Sequence, residues 1–295
     1  DPTVHCSSAP TVVFDRSGQL WVVFESAGVV YVSKAEKTGF QFGRAKRVNA
    51  APEEVDTNGE NRPKLAFGPG NQMYVSWTRK VAGGYNGEIR FSRSLDGGGH
   101  FDPVRTINDD GLVTGHRFET LFVDRKGTVY LAWIDKRDLQ SLSDADREIS
   151  GAAVYYTVSS DHGESFARNR KVVDHSCECC RIAVADALES GMALFFRQIF
   201  EKHLRDHGFA IVGADDVVSP MQRATRDDWH IDACPHNGPA MAAAGDGSYH
   251  ISWFTGGERN HGIFYARFDP ATAATSRLAM ISQSPTASHP YLAAD

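Results

Sequence analysis

A unit of four short strands repeated five times, a large aromatic closing the second strand of each copy, and no sustained helical period predict an all-β fold. The expected architecture is a β-propeller of four-stranded antiparallel blades. The second strand carries the clearest signal. It occurs as Gly18-Gln19-Leu20-Trp21-Val22-Val23-Phe24 and as Gln72-Met73-Tyr74-Val75-Ser76-Trp77. It returns as Gly127-Thr128-Val129-Tyr130-Leu131-Ala132-Trp133, Gly191-Met192-Ala193-Leu194-Phe195-Phe196 and Gly247-Ser248-Tyr249-His250-Ile251-Ser252-Trp253. The closing aromatics fall about 50 to 60 residues apart, within the period range of blades.

Each copy is preceded by a short apolar run: 11–15, 64–68, 120–124, 182–186 and 240–244. Each is followed by a third: 29–33, 89–94, 154–159, 208–213 and 263–268. Weaker fourth runs, such as 46–49, 104–108 and 171–174, complete the units. Five complete blades are therefore expected at approximately 8–50, 62–108, 117–174, 181–226 and 238–283, in a single domain spanning 1–295. The final residues, His289-Pro290-Tyr291-Leu292-Ala293-Ala294-Asp295, copy the opening strand Ala9-Pro10-Thr11-Val12-Val13-Phe14-Asp15. They are expected either to close a five-bladed ring or to begin a sixth blade. The second is favoured, because an open sheet edge invites unwanted pairing.

Composition narrows the function classes. The 295 residues are 41% hydrophobic and 23% charged, which fits a folded globule with a sizeable core. A net charge of -6 argues against general nucleic-acid binding. No apolar run approaches the roughly 20 residues needed to span a bilayer. The opening Asp1-Pro2-Thr3 reads as a mature start after signal cleavage, so a periplasmic or extracellular setting is expected.

Two turns between third and fourth strands share a pattern. Ser94-Leu95-Asp96-Gly97-Gly98-Gly99-His100-Phe101 and Ser159-Ser160-Asp161-His162-Gly163-Glu164-Ser165-Phe166 both fit Ser-x-Asp-x-Gly-x-x-aromatic, and 35–42 is a decayed third copy. Asp and Ser side chains bond the turn backbone, Gly takes the left-handed position, and the aromatic plugs between sheets. This pattern resembles the Asp-box, or bacterial neuraminidase, repeat of sialidase-like β-propellers. The resemblance implies that the boxes are structural and lie opposite the active face, which makes His100 and His162 bystanders. His175-Ser176-Cys177-Glu178-Cys179-Cys180-Arg181, together with the stretches 231–239 and 253–257, resembles an exported bacterial sialidase-like group with a Cys-x-Cys-Cys motif and uncertain role.

All five cysteines lie in loops that lead into first strands. First strands are innermost in a propeller, so Cys6, His116, Cys177, Cys179, Cys180, Cys234 and His236 are expected to converge as a metal site. Thiolate and imidazole together suit copper or zinc, with copper preferred. Disulfides and inert thiols are the alternatives; an odd count leaves at least one sulfur unpaired within the chain. Arg62, Arg117 and Arg181 occupy matching positions in three successive blades, and with Asn61 they are candidate binders of a small anionic substrate. Arg137, Arg197, Arg205 and Arg259 are expected on or near the second-to-third strand loops of the same face. Equally, each arginine can tie a neighbouring loop through its carbonyls.

The sialidase resemblance implies an arginine triad, a Tyr/Glu nucleophile and an Asp acid/base. Here the family's Arg-Ile-Pro start is only echoed by Asn61-Arg62-Pro63, and no Tyr/Glu pair is recognisable. The leading expectation is thus an exported, copper-binding propeller with redox chemistry on a small anion or thiol, its catalytic residues unassigned. A sialidase-like glycoside hydrolase and a non-catalytic glycan- or protein-binding module stand beside it.

Overall fold

In the computed structural model of the chain, residues 4, 7–36, 41–140, 151–187, 190–258, 260–276, 278–284 and 286–294 are described. The expected repeat is present as five antiparallel meanders. The first holds β1 (Ser8–Phe14), β2 (Leu20–Ser26), β3 (Val29–Lys34) and β4 (Lys46–Arg47). The second holds β5 (Lys64–Phe67), β6 (Met73–Lys80), β7 (Gly87–Ser94) and β8 (Arg105–Thr106). The third holds β9 (His116–Val123), β10 (Val129–Asp135), β11 (Ala152–Ser159) and β12 (Arg170–Ser176). The fourth holds β13 (Ala183–Asp186), β14 (Gly191–Ile199), β15 (Arg205–Gly213) and β16 (Gln222–Arg223). The fifth holds β17 (Ala240–Ala243), β18 (Tyr249–Gly256) and β19 (His261–Asp269), with β20 (Ala274–Thr275) and β21 (Ala279–Ser282) both pairing with β19. The fold class is a β-propeller of four-stranded blades.

The chain divides into two compact units. One comprises Asp1–Leu131 with Thr157–Asn169; the other comprises Ala132–Tyr156 with Arg170–Asp295. The division passes through β10 and β11 of the third meander. In the first unit Trp21, Val23, Val32, Leu65, Val75 and Trp77 form one apolar cluster. In the second, Phe195, Phe209, Tyr249, Trp253 and Phe268 lead another. Trp77 and Trp253 are almost wholly buried, and each directs its indole N–H to a carboxylate, Glu53 and Asp227 respectively. A buried indole thus keeps its apolar face in the core and its one donor satisfied.

Local chemistry explains why the strands turn where they do. Asp15 Oδ1 accepts the N–H groups of Ser17 and Gln19 at 2.9 and 3.0 Å. Asp124 Oδ1 does the same for Lys126 and Thr128, both at 2.9 Å. In each turn a glycine with positive φ, Gly18 or Gly127, completes the reversal. The two Ser-x-Asp turns are built alike. Ser94 and Ser159 accept the N–H of Gly98 and Gly163, both at 2.8 Å, while Asp96 and Asp161 accept from His100 and Ser165 at 2.9 Å. Those bonds, with those from the Ser side chains, hold both carboxyls below the usual range. Phe166 meets Phe91 edge-on at 4.9 Å, so the second turn plugs onto β7. His100 and His162 sit exposed in these turns. Residues 37–40 of the decayed third copy lie outside the described residues.

Residues 289–294, expected as an opening strand, carry no strand pairing. A strand obtains its ladder from a neighbour, and none among the described residues offers one. His289 N–H instead donates to Asn237 Oδ1 at 2.8 Å. No helix among the described residues is long and apolar enough to cross a membrane.

Two glycines test the turn geometry. Gly163 has φ +74°, and a Cβ there would stand 2.9 Å from Phe91 Cζ, whereas Gly18 has φ +79° and open space. Gly163→Ala is expected to destabilise by about 2–4 kcal/mol, from left-handed strain plus overpacking, and Gly18→Ala by only about 1–2 kcal/mol. Denaturant unfolding of the two variants checks the difference.

Candidate functional site

The second unit gathers four of the five cysteines. β12 ends at Ser176, which pairs with Gln198 of β14, and Cys177 N–H then donates to the Arg197 carbonyl at 2.9 Å. Those bonds plant the turn 177–180 against β14. The Cys234 segment is tied down separately: Arg205 N–H donates to the Trp229 carbonyl at 2.7 Å and Ile231 N–H to the His203 carbonyl at 3.1 Å. Two stretches far apart in sequence thereby present sulfur to one place.

Sγ of Cys177 lies 3.7 Å from that of Cys179 and 3.8 Å from that of Cys180, and Cys179 and Cys180 are 3.9 Å apart. The sulfurs of Cys177, Cys179 and Cys234 lie within 4.8 Å of one another. All four cysteines are free thiols; Cys177, Cys179 and Cys180 are buried and Cys234 is exposed. An ion bonded at about 2.3 Å to each sulfur spaces them about 3.8 Å apart in a tetrahedron and about 4.0 Å in a trigonal plane. The three short edges fit either geometry. Packed thiols stand at similar separations, so the surrounding charge is the more telling feature. Arg205 Nη1 donates to Cys177 Sγ at 3.4 Å. Arg197, itself buried, donates to the carbonyls of Arg205, Asn237 and Phe254. Bonds from Cys179, Cys180 and Cys234, helped by the Arg197 charge, pull the Cys177 thiol well below its ordinary value. The same contact with Cys177 pushes Cys179 up, and burial pushes Cys180 up. Arg205 at the Cys177 sulfur favours a thiolate there, the form in which a cysteine binds a soft metal ion or acts as a nucleophile.

The other expected ligands are placed as follows. His116 belongs to the first unit, where its ring nitrogens contact the Gly87 carbonyl and Asp110 Oδ2, both at 2.9 Å. His236 is exposed, with φ 47°. Cys6, like Arg259, lies outside the described residues.

The arginines are held by protein groups within their own units. Arg62 donates to the carbonyls of Pro10 and Gly59, and Arg181 to that of Pro290. Arg117 Nε and Nη2 meet Asp56 Oδ2 at 2.7 and 2.5 Å, so its charge is balanced internally. Asn61 is buried, with its amide nitrogen on Asp56 and its oxygen toward Thr78. The same kind of neutralisation recurs in the second unit, where Arg137 pairs with Asp135 and lies over Tyr155.

A buried acidic centre in the first unit has no counterpart in the sequence reading. Glu119, on β9, is enclosed; Thr78 Oγ1 donates to its Oε2 at 2.7 Å, and Lys64 Nζ stands 4.0 Å from its Oε1. Burial raises its pKa, and Lys64 offsets this only in part. Asp56, ion-paired with Arg117, adds to the rise. One carboxyl biased toward its protonated form beside one held in an ion pair is the asymmetry that acid/base chemistry uses. The signal in the sequence was a lone acid inside the apolar run Phe118-Glu119-Thr120-Leu121-Phe122. His207 was likewise unmarked; it is buried, and desolvation followed by the Arg197 charge keeps its pKa well below the ordinary value.

No protein-family model matches the chain, and no curated protein matches it. Solved structures do. A protein of unknown function from Dyadobacter fermentans superposes with a TM-score of 0.61 at 12% identity, over 94% of this chain and 83% of that one. The NanB sialidase from Streptococcus pneumoniae gives 0.59 at 6% identity, over 92% of this chain and 60% of its own. The α-L-arabinofuranosidase ARB93A from Fusarium graminearum gives 0.57 at 12% identity, over 97% and 83%. The chain thus spans only 60% of the sialidase's length. At these identities the likeness is one of fold.

Because the Glu119 pKa is raised in the folded chain, its contribution is fully present below the unfolded value, near pH 4, and is lost as pH rises through the folded value. Glu119→Gln is expected to flatten that decline. Melting temperatures of wild type and variant should differ least at acid pH and diverge in the variant's favour toward pH 8.

Proposed function

We propose that the chain is a carbohydrate-active propeller, sialidase-like in being a glycoside hydrolase, and that it works in the periplasm or outside the cell. The observation that carries this reading is the match of nearly the whole chain to propellers named as a sialidase and an arabinofuranosidase. The Glu119 and Asp56 pair supports it, since glycoside hydrolysis uses two carboxyl groups in different states. Glu119 is the proton donor in this reading and Asp56 its partner.

Turnover of a panel of fluorogenic sialosides, arabinofuranosides and uronides tests it. At least one substrate should be cleaved, and Glu119→Gln should lower kcat by about 10²–10⁴-fold with the fold retained by circular dichroism. No cleavage across the panel by the wild-type chain overturns the reading.

The sulfur cluster favours a second reading, a metal-binding propeller whose buried Cys177, Cys179 and Cys180 hold copper, or zinc, with Cys234 at the exposed side of the cluster. Copper suits a site of several thiolates without zinc-finger spacing, and when bound it supplies redox chemistry toward a small anion or thiol. Protein purified without chelator should hold about one equivalent of copper or zinc by elemental analysis. It should lose that metal when Cys177 and Cys179 are both changed to Ser. Protein that is metal-free and cannot be reconstituted excludes this reading.

A further inference from the structure

Resting on the metal reading of the sulfur cluster, we propose that Cys234 is an exchange ligand, through which the site captures a monovalent soft cation and hands it on. The cluster is unequal by construction. Cys177, Cys179 and Cys180 are 0%, 4% and 2% exposed, in one turn anchored to β14 by the Cys177 N–H to Arg197 bond. Cys234 is exposed, and so are its neighbours Asp232, Ala233 and His236. Its segment is fastened behind it, by Ile231 N–H to the His203 carbonyl and by His203 Nδ1, 3.3 Å from Asp232 Oδ1. Three sulfurs are therefore fixed and screened from solvent, while the fourth reaches the cluster from a surface loop.

Charge favours a monovalent ion. Three thiolates around a +1 ion carry a net charge of −2, which Arg205, in contact with Cys177, and the buried Arg197 balance. Balance without the fourth thiolate leaves Cys234 dispensable for retention and available for exchange. Glu178, between two of the buried cysteines in sequence, is partly exposed and adds a carboxylate for an arriving cation, although Lys136 pairs with it. The step involves no redox change. A bond from the donor's ligand to the ion breaks as one from Cys234 forms, and the Cys234 proton leaves to water. As the ion passes inward, its bond to Cys234 breaks, each buried sulfur that takes it as a thiolate gives its proton to water, Cys234 regains one, and release is the reverse.

The test uses the full chain, with Ag⁺ as a redox-inert probe for stoichiometry and Cu⁺ held by a chromogenic chelator for stopped-flow transfer. Wild type should bind one ion. Cys234→Ser, a change at the surface, should also bind one ion at equilibrium but capture it from the chelator at least about 10-fold more slowly, because attack at buried thiols requires local opening. Cys180→Ser, with its fold checked by circular dichroism, should keep the wild-type capture rate within about twofold and release the ion faster, as befits a retention ligand. An unchanged capture rate in Cys234→Ser, at unchanged stoichiometry, overturns the exchange role alone. A wild-type chain that takes up neither ion overturns the metal reading with it.

Discussion

The chemistry of the second unit hangs on one backbone connection. β12 runs past the end of its own meander, pairs Ser176 with Gln198 of β14, and spends the next N–H, that of Cys177, on the Arg197 carbonyl. A cysteine turn attached to a free loop would leave its thiols in water, where their mutual spacing would be arbitrary. Attached here, the turn lies over a strand that also supplies Arg197, while Arg205 begins the strand that pairs beside it. Sulfur and guanidinium are thus brought together by the ladder rather than by attraction between them.

The two units resolve the same difficulty, buried charge, in different ways. Isolated charges in a protein interior are costly, so they are paired, bonded or neutralised. In the first unit Asp56 takes Arg117 and Asn61, and Glu119 is left with a hydroxyl and a more distant ammonium. In the second, Arg197 bonds three carbonyls and lies over Trp229, and Asp227 is capped by Trp253 and Asn260. Glu119 keeps one oxygen without a hydrogen bond, and the buried thiols chiefly contact one another. They are also the groups with chemistry to offer.

A propeller scaffold hosts many chemistries, because the blades are built by turns and aromatics while reactive groups sit on what the turns leave over. That division is visible here. Asp15, Asp124, Asp96 and Asp161 each accept amides of their own turns. The arginines expected to receive an anion are occupied as well, with carbonyls or, for Arg117, an aspartate. A position in register along the repeat marks where a side chain begins. It does not say what that side chain will meet.

The strands, their antiparallel order and the Ser-x-Asp turns were legible in the residues alone, because each depends on neighbours a few positions away: alternation along a strand, a glycine at a reversal, a carboxylate two or four residues before an amide. The grouping of Cys177, Cys179 and Cys180 was legible for the same reason. Three things were decided only by tertiary structure. Cys234 joins that group because Arg205 and Ile231 tie its segment to the end of the fourth meander. Glu119 is an enclosed acid because β9 packs it beside Thr78 and Lys64. His116 meets Asp110 and the Gly87 carbonyl because its strand lies beside that of Gly87 in the first unit. Each depends on which strands lie side by side, and periodicity along one strand carries no information about the partners across the gap.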